Sequence, residues 1–201
     1  SMSRLVPVLL LLLLLPLASV AADWDGKPNR YRVRLDAQAT RAVVEADLWQ
    51  QSDMLSMYKV MEVPGLPNGQ ASLVEDLRAI DADGATVALK DLGAGDYGIA
   101  GGRRIRLSYA VRLEHDQYPW PAGMEEVSYH TDEGVMATGA ALFFADGDAP
   151  VQAPIEVDFD LPQGWQARTP WTRMGGGDRF RVDSRRELVS NALFLGTAHA
   201  E

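Results

Sequence analysis

GGRRIRLSYAVRLEHDQYPWPAGMEEVSYHTDEGVMATGAALFFAD, residues 101–146, decides the fold class. Its first part alternates Arg104, Arg106 and Ser108 with Ile105, Leu107 and Tyr109, and a period of two is what a strand needs to put one face in a core and the other in water. A long polar and aromatic loop follows. The segment then closes on a run of small residues that ends in Leu142-Phe143-Phe144-Ala145-Asp146. Working outward, the same alternation is found in 31–35 and 42–49, with further short strand-like runs at 57–63, 77–80, 85–89, 97–99, 137–144, 155–161, 165–168, 180–182 and 193–195. Asp81-Ala82-Asp83-Gly84 reads as the turn that pairs 77–80 with 85–89, and Ala100-Gly101-Gly102 as the turn that pairs 97–99 with 105–113. Gly, Pro and Asp separate the runs, and no apolar period of 3.6 residues lasts beyond about two turns. The pattern predicts an all-β, antiparallel β-sandwich with few or no helices.

The ends of the chain have another character. Arg4, the apolar run 5–17 and the small residues Ser19-Val20-Ala21-Ala22 have the layout of a secretory signal peptide, residues 1–22. Residues 23–30 read as a polar linker and 31–201 as one domain, with a hinge between sub-lobes expected near 146–153. The leader points to an exported, bacterial periplasmic or extracellular protein. Cysteine is absent, so the domain must stand on its core rather than on disulfides. A formal net charge of −9 argues against nucleic acid and against anionic membrane surfaces as partners, and no membrane insertion is expected of the mature domain.

In their order, the alternating strand, the long loop and the small-residue strand resemble the N-terminal β domain of the M61 glycyl aminopeptidase family. Leu161-Pro162-Gln163-Gly164-Trp165 is similar to that family's LP-x-GW turn, and Glu187-Leu188-Val189-Ser190 to the strand that closes the domain. The resemblance runs from about Tyr31 to Gly196. It implies a parent that removes N-terminal glycine or alanine with a zinc ion held by an H-E-x-x-H helix. His115, His130 and His199 are the three histidines here, and none is followed by Glu. The chain itself is therefore expected to be no enzyme and to hold no cofactor, zinc belonging to a catalytic domain beyond Glu201. The expected partner is that downstream domain or an exported protein or peptide. The alternative is an exported binding or scaffold module, free-standing or fused to a membrane segment, without peptidase activity.

Other constellations are weaker. Gly93-Ala94-Gly95-Asp96-Tyr97-Gly98 spells G-x-G-x-x-G, but a short strand follows it instead of the helix whose N-terminus a dinucleotide needs, so it reads as a turn. Glu114, His115, Asp116, Glu125, Glu126, His130, Asp132 and Glu133 collect imidazoles and carboxylates at spacings that specify no metal geometry. Asp146-Gly147-Asp148 lacks the rest of a calcium loop. The segment Tyr118-Pro119-Trp120-Pro121 holds two aromatics on a backbone stiffened by proline, which suits either a plug over the core or a presented surface. Tyr118, Trp120 and His130 are the candidate interaction residues.

Overall fold

The computed structural model describes residues 23–57, 65–113, 128–147 and 153–197. Its strands begin with β1 (Asn29–Leu35), β2 (Arg41–Gln50), β3 (Met54–Met57), β4 (Val74–Asp81), β5 (Lys90–Gly93), β6 (Asp96–Gly98) and β7 (Arg103–Arg112). They continue with β8 (Tyr129–Thr131), β9 (Gly134–Thr138), β10 (Phe144–Asp146), β11 (Ile155–Asp160), β12 (Trp165–Arg168), β13 (Thr172–Arg173), β14 (Arg179–Val182) and β15 (Ala192–Thr197). The single α-helix among the described residues is α1 (Arg185–Ser190), and two 3-10 turns occupy Gly69–Leu73 and Gly139–Ala141.

Three sheets result, a sandwich of one large sheet with two small ones. The large sheet orders its seven strands β13-β14-β11-β1-β2-β7-β4; the small ones run β10-β3-β6-β5 and β12-β15-β9-β8. Every pair is antiparallel except β1 with β11, which run side by side in parallel. Alternation builds the core as the sequence predicts. Tyr31, Val33 and Leu35 of β1, Val44, Ala46 and Leu48 of β2, Ile105, Leu107, Tyr109 and Val111 of β7, and Ile155, Val157 and Phe159 of β11 are all buried. They join Leu55 and Met57 of β3, Phe144 of β10, Val135 of β9 and Leu193 and Leu195 of β15 in one continuous cluster. Each such aliphatic or aromatic side chain contributes about 1.5–3 kcal/mol by leaving water.

Several expectations need correction. The run 137–144 is not one strand, because the chain turns at Gly139 against α1. A Cβ on Gly139 would lie 1.5 Å from the Leu188 carbonyl oxygen, so only glycine permits that approach. Residues 187–190, expected as a closing strand, belong to α1. Ser184 is its N-cap, its hydroxyl accepting the Glu187 amide at 3.1 Å, and Ser184-Arg185-Arg186-Glu187 is a capping-box sequence. Leu188 then buries itself under the Gly139 turn. Residues 85–89 form no strand beyond one bridge between Ile80 and Thr86, because Asp81 folds the turn onto itself by accepting the amides of Asp83 and Ala85. β6 pairs with β3 and β5, not with β7: at Gly101 the chain crosses hard against the Gln51 and Ser52 carbonyls on its way to the other sheet. The third strand is Met54–Met57, and 58–64 lie outside the described residues.

Candidate functional site

The interior holds polar groups, and several of them are bonded within the core, although Gln50 Oε1, Ser128 Oγ, Thr138 Oγ1 and Trp171 Nε1 are buried without a partner among the described residues. The Tyr31 hydroxyl donates to the Phe144 carbonyl at 2.8 Å. The Tyr109 hydroxyl donates to the Leu142 carbonyl at 2.8 Å and accepts the Phe144 amide at 3.2 Å. Burial pushes both phenols well above their ordinary range, so they stay neutral donors. Two residues on from Phe144, Asp146 accepts the amides of Gln51 at 2.6 Å and Ser52 at 3.0 Å and the Ser52 hydroxyl, while its carbonyl accepts from Arg185. These bonds fix β10 between the large sheet and β3. They hold a structural knot, with Asp146 used to end a strand.

His130 is likewise committed. Its Nε2–H donates to the carbonyl of Ala39 in the β1–β2 turn, a residue that takes the left-handed conformation at φ 54°. In the same turn burial pushes the Asp36 carboxyl up, but the hydroxyl and amide of Thr40, both at 2.7 Å, together with the Arg41 amide and His130, outweigh it and hold the group below its usual range. His130 thus straps β8 to the large sheet. Tyr118 and Trp120, like His115, Glu125 and Glu126, lie outside the described residues. Among the described residues no three His, Asp or Glu side chains converge to hold a metal.

The outer face of the large sheet is where groups remain free. Charges of one sign run together along several strands: Arg30, Arg32 and Arg34 on β1, Glu45 and Asp47 on β2, Arg104 and Arg106 on β7, Glu156, Asp158 and Asp160 on β11, Arg179 and Arg181 on β14, while Arg41 on β2 pairs with Glu75 on β4. The register sets these signs in opposition, with Arg30 facing both Asp47 and Glu156, and Asp47 facing Arg106. Ion pairs follow at 3.0 Å for Arg30–Glu156, 3.5 Å for Arg32–Asp160 and 2.8 Å for Arg104–Asp47. Arg104 also clamps Asp25 through two bonds, at 2.5 and 2.8 Å, which docks the segment before β1. Over the middle of this face lies a hollow of about 570 Å³. Arg30, Arg78, Arg106, Glu45, Ser108 and Asp158 stand in its wall. The alternating charges are legible in the sequence; which of them meet is decided by register, and that is why sequence reasoning passed over Glu45, Arg78, Arg106 and Ser108.

A large sheet with a charged outer face, closed on its inner side by two small sheets, defines an all-β domain. The chain belongs to the Peptidase M61 N-terminal domain family, whose model matches residues 30–197. The structure of an aminopeptidase N family protein from Idiomarina loihiensis is similar in fold, with a TM-score of 0.61 and 17% identity, over 84% of this chain and 29% of that one. An M1 zinc metallopeptidase from Deinococcus radiodurans matches with a TM-score of 0.45 and 12% identity over 86% of this chain and 42% of its own. Yeast LTA4 hydrolase gives 0.46 and 9% over 86% and 29%. The chain thus spans less than half the length of these structures. No curated protein matches it.

Proposed function

We propose that this chain is the non-catalytic N-terminal β domain of an exported M61-type protein, and that it packs on a following domain and helps to wall that domain's cleft. The observation that carries the reading is the family match across 30–197, joined to the place where the chain leaves the fold. The amide of Thr197 is held by the Glu133 carbonyl at 2.8 Å, so the exit lies beside the β8–β9 turn, on the sheet whose edge strand carries His130. A domain that follows there starts next to β8. The leader-like residues 1–22 support export. Zinc, which the family's chemistry implies, finds no fitting donor set in the described residues and belongs to the following domain, whose parent removes N-terminal glycine or alanine.

The test pairs sequence with assay. The reading frame beyond Glu201 is expected to encode H-E-x-x-H and a distal Glu, and the full gene product to hydrolyse glycyl and alanyl p-nitroanilides in a chelator-sensitive way, while the 201-residue chain does not. A frame that stops at Glu201, or continues without H-E-x-x-H, overturns the proposal.

A further inference from the structure

The alternation of charge on the outer face breaks off beside Glu45, and the break has a shape. In the rung Arg30, Asp47, Arg106 each charge faces its opposite across the neighbouring strand. In the next rung Arg32 faces Glu45, and Glu45 faces Ser108, which faces Arg78 on β4. Where the pattern would place another arginine there is a hydroxymethyl group. Arg32 reaches Asp160 instead, and Asp47 is taken by Arg104. Among the described residues Glu45, Arg78 and Arg106 are left with no ion-pair partner, although all three line the same hollow as Ser108.

Arg78 is on this face only because β4 carries an extra residue. The pairing jumps from Glu75–Ala110 to Arg78–Ser108, and Asp76 in the bulge takes φ 56°. Without the bulge, the period of two would turn Arg78 inward and Leu77 outward. A strained non-glycine residue thus serves to aim a guanidinium. The result is a notch in which the Glu45 carboxylate and the Arg78 guanidinium stand two strands apart, about 10 Å at the backbone from the usual strand spacing, with Arg106 and the small Ser108 hydroxyl on the strand between them.

We propose that this notch binds a short zwitterionic peptide, its free ammonium on Glu45 and its carboxylate on Arg78 and Arg106, with Ser108 available to its backbone. Guanidinium forks match a carboxylate in two bonds, and the separation suits the termini of two or three residues. The remainder of the hollow sets Asp47, Glu156 and Asp158 against Arg30, Arg32 and Arg179, so beyond the two guanidiniums it offers no net positive charge to a polyanion. The site rests on the charges of the sheet itself and stands whether or not a peptidase domain follows.

The test is calorimetric titration of the 201-residue chain with triglycine, N-acetyl-triglycine and triglycinamide. Triglycine is expected to bind saturably at millimolar concentrations, and each blocked peptide at least tenfold more weakly. Glu45→Gln and Arg78→Ala should each weaken triglycine at least tenfold, and Ser108→Arg, which restores the alternation and fills the notch, should abolish binding. Arg34→Ala, on the same face but outside the hollow, should leave it intact, and unchanged circular dichroism and thermal midpoints show that the variants fold. No saturable binding of triglycine overturns the proposal. So does equal binding of the blocked peptides, or binding that survives Ser108→Arg. Failure here leaves the reading-frame test untouched, so the two proposals fall separately.

Discussion

The two faces of β1, β2 and β7 are made by alternate residues of the same strands, yet they solve opposite problems. Inside, Tyr31, Tyr109 and Asp146 bury polar atoms and each finds a backbone partner at hydrogen-bond distance. An unmet group there costs its full desolvation. Outside, Arg30, Arg32, Glu45 and Asp47 remain hydrated, so a missing partner costs little. The inner face therefore loses stability for each polar atom it leaves unmet, such as Gln50 Oε1 and Trp171 Nε1, while the outer one can leave Glu45, Arg78 and Arg106 free to meet something else at little cost. Stability and recognition are divided between odd and even positions of one sheet.

The largest blow to that division comes from Phe143, fully buried and set edge-on to Tyr31 at 5.0 Å between ring centroids. Phe143→Ala should lower unfolding free energy by about 3–5 kcal/mol, the range for a buried aromatic truncated to a cavity, measured by urea denaturation. A loss within surface range would mean that the inner face is not the load it is taken to be.

Tyr109→Phe is a finer probe, since it removes one oxygen and leaves the ring against Phe144 at 5.1 Å. The Leu142 carbonyl loses its donor and the Phe144 amide its acceptor, so about 1–3 kcal/mol should go. A neutral result would show that β10 is held by packing alone.

How far the sequence discloses this division depends on what kind of signal each part needs. Alternation in Tyr31-Arg32-Val33-Arg34-Leu35 and in residues 104–109 marks both faces directly, because period two is local. Local patterns do not reveal pairing. The parallel contact of β1 with β11 joins residues more than a hundred positions apart, and β7 joins a different sheet from β6 although the turn between them looks like an ordinary hairpin. The notch is further from sight, since Glu45, Ser108 and Arg78 meet only through two registers and a bulge. The helix α1 was within reach: Ser184 and Glu187 stand at capping-box spacing, a signal masked by the strand-like resemblance of 187–190. Tyr118 and Trp120 lie outside the described residues, so His130 is the one candidate the fold assigns, and its bond to Ala39 ties two sheets.

Between core and open surface lies the clamp of Arg104 on Asp25. The bidentate bond with Arg104 holds the Asp25 carboxyl down to about 2, from an ordinary value of 3.8, against the opposing push of burial. A carboxyl lowered in the folded state stabilises fully above its unfolded pKa and loses that contribution as pH falls through the folded one. Wild type and Asp25→Asn should therefore differ in thermal midpoint at pH 6 and converge between pH 4 and about 2. Since the pair is partly exposed, screening keeps the difference under about 1 kcal/mol. A difference that persists unchanged at pH 2 would place the effect in something other than this charge.

The smallest effect is expected one residue from the core. Arg32 stands between Tyr31 and Val33, both buried, while its own side chain is 57% exposed and its partner Asp160 50% exposed at 3.5 Å. Ordering two hydrated side chains offsets most of the Coulomb gain at that distance, and exposed pairs of this kind contribute between nothing and about 1 kcal/mol. With the Arg32 side chain on the exposed face of the strand, its truncation opens no buried cavity. Arg32→Ala should accordingly shift unfolding free energy by no more than about 0.5 kcal/mol, with the urea slope unchanged and little response to added salt. A loss several times larger, weakening as salt rises, would show that the ladder of outer charges holds the large sheet together as a network. In that case the outer face would share the structural work, and the separation between the two faces would have to be redrawn.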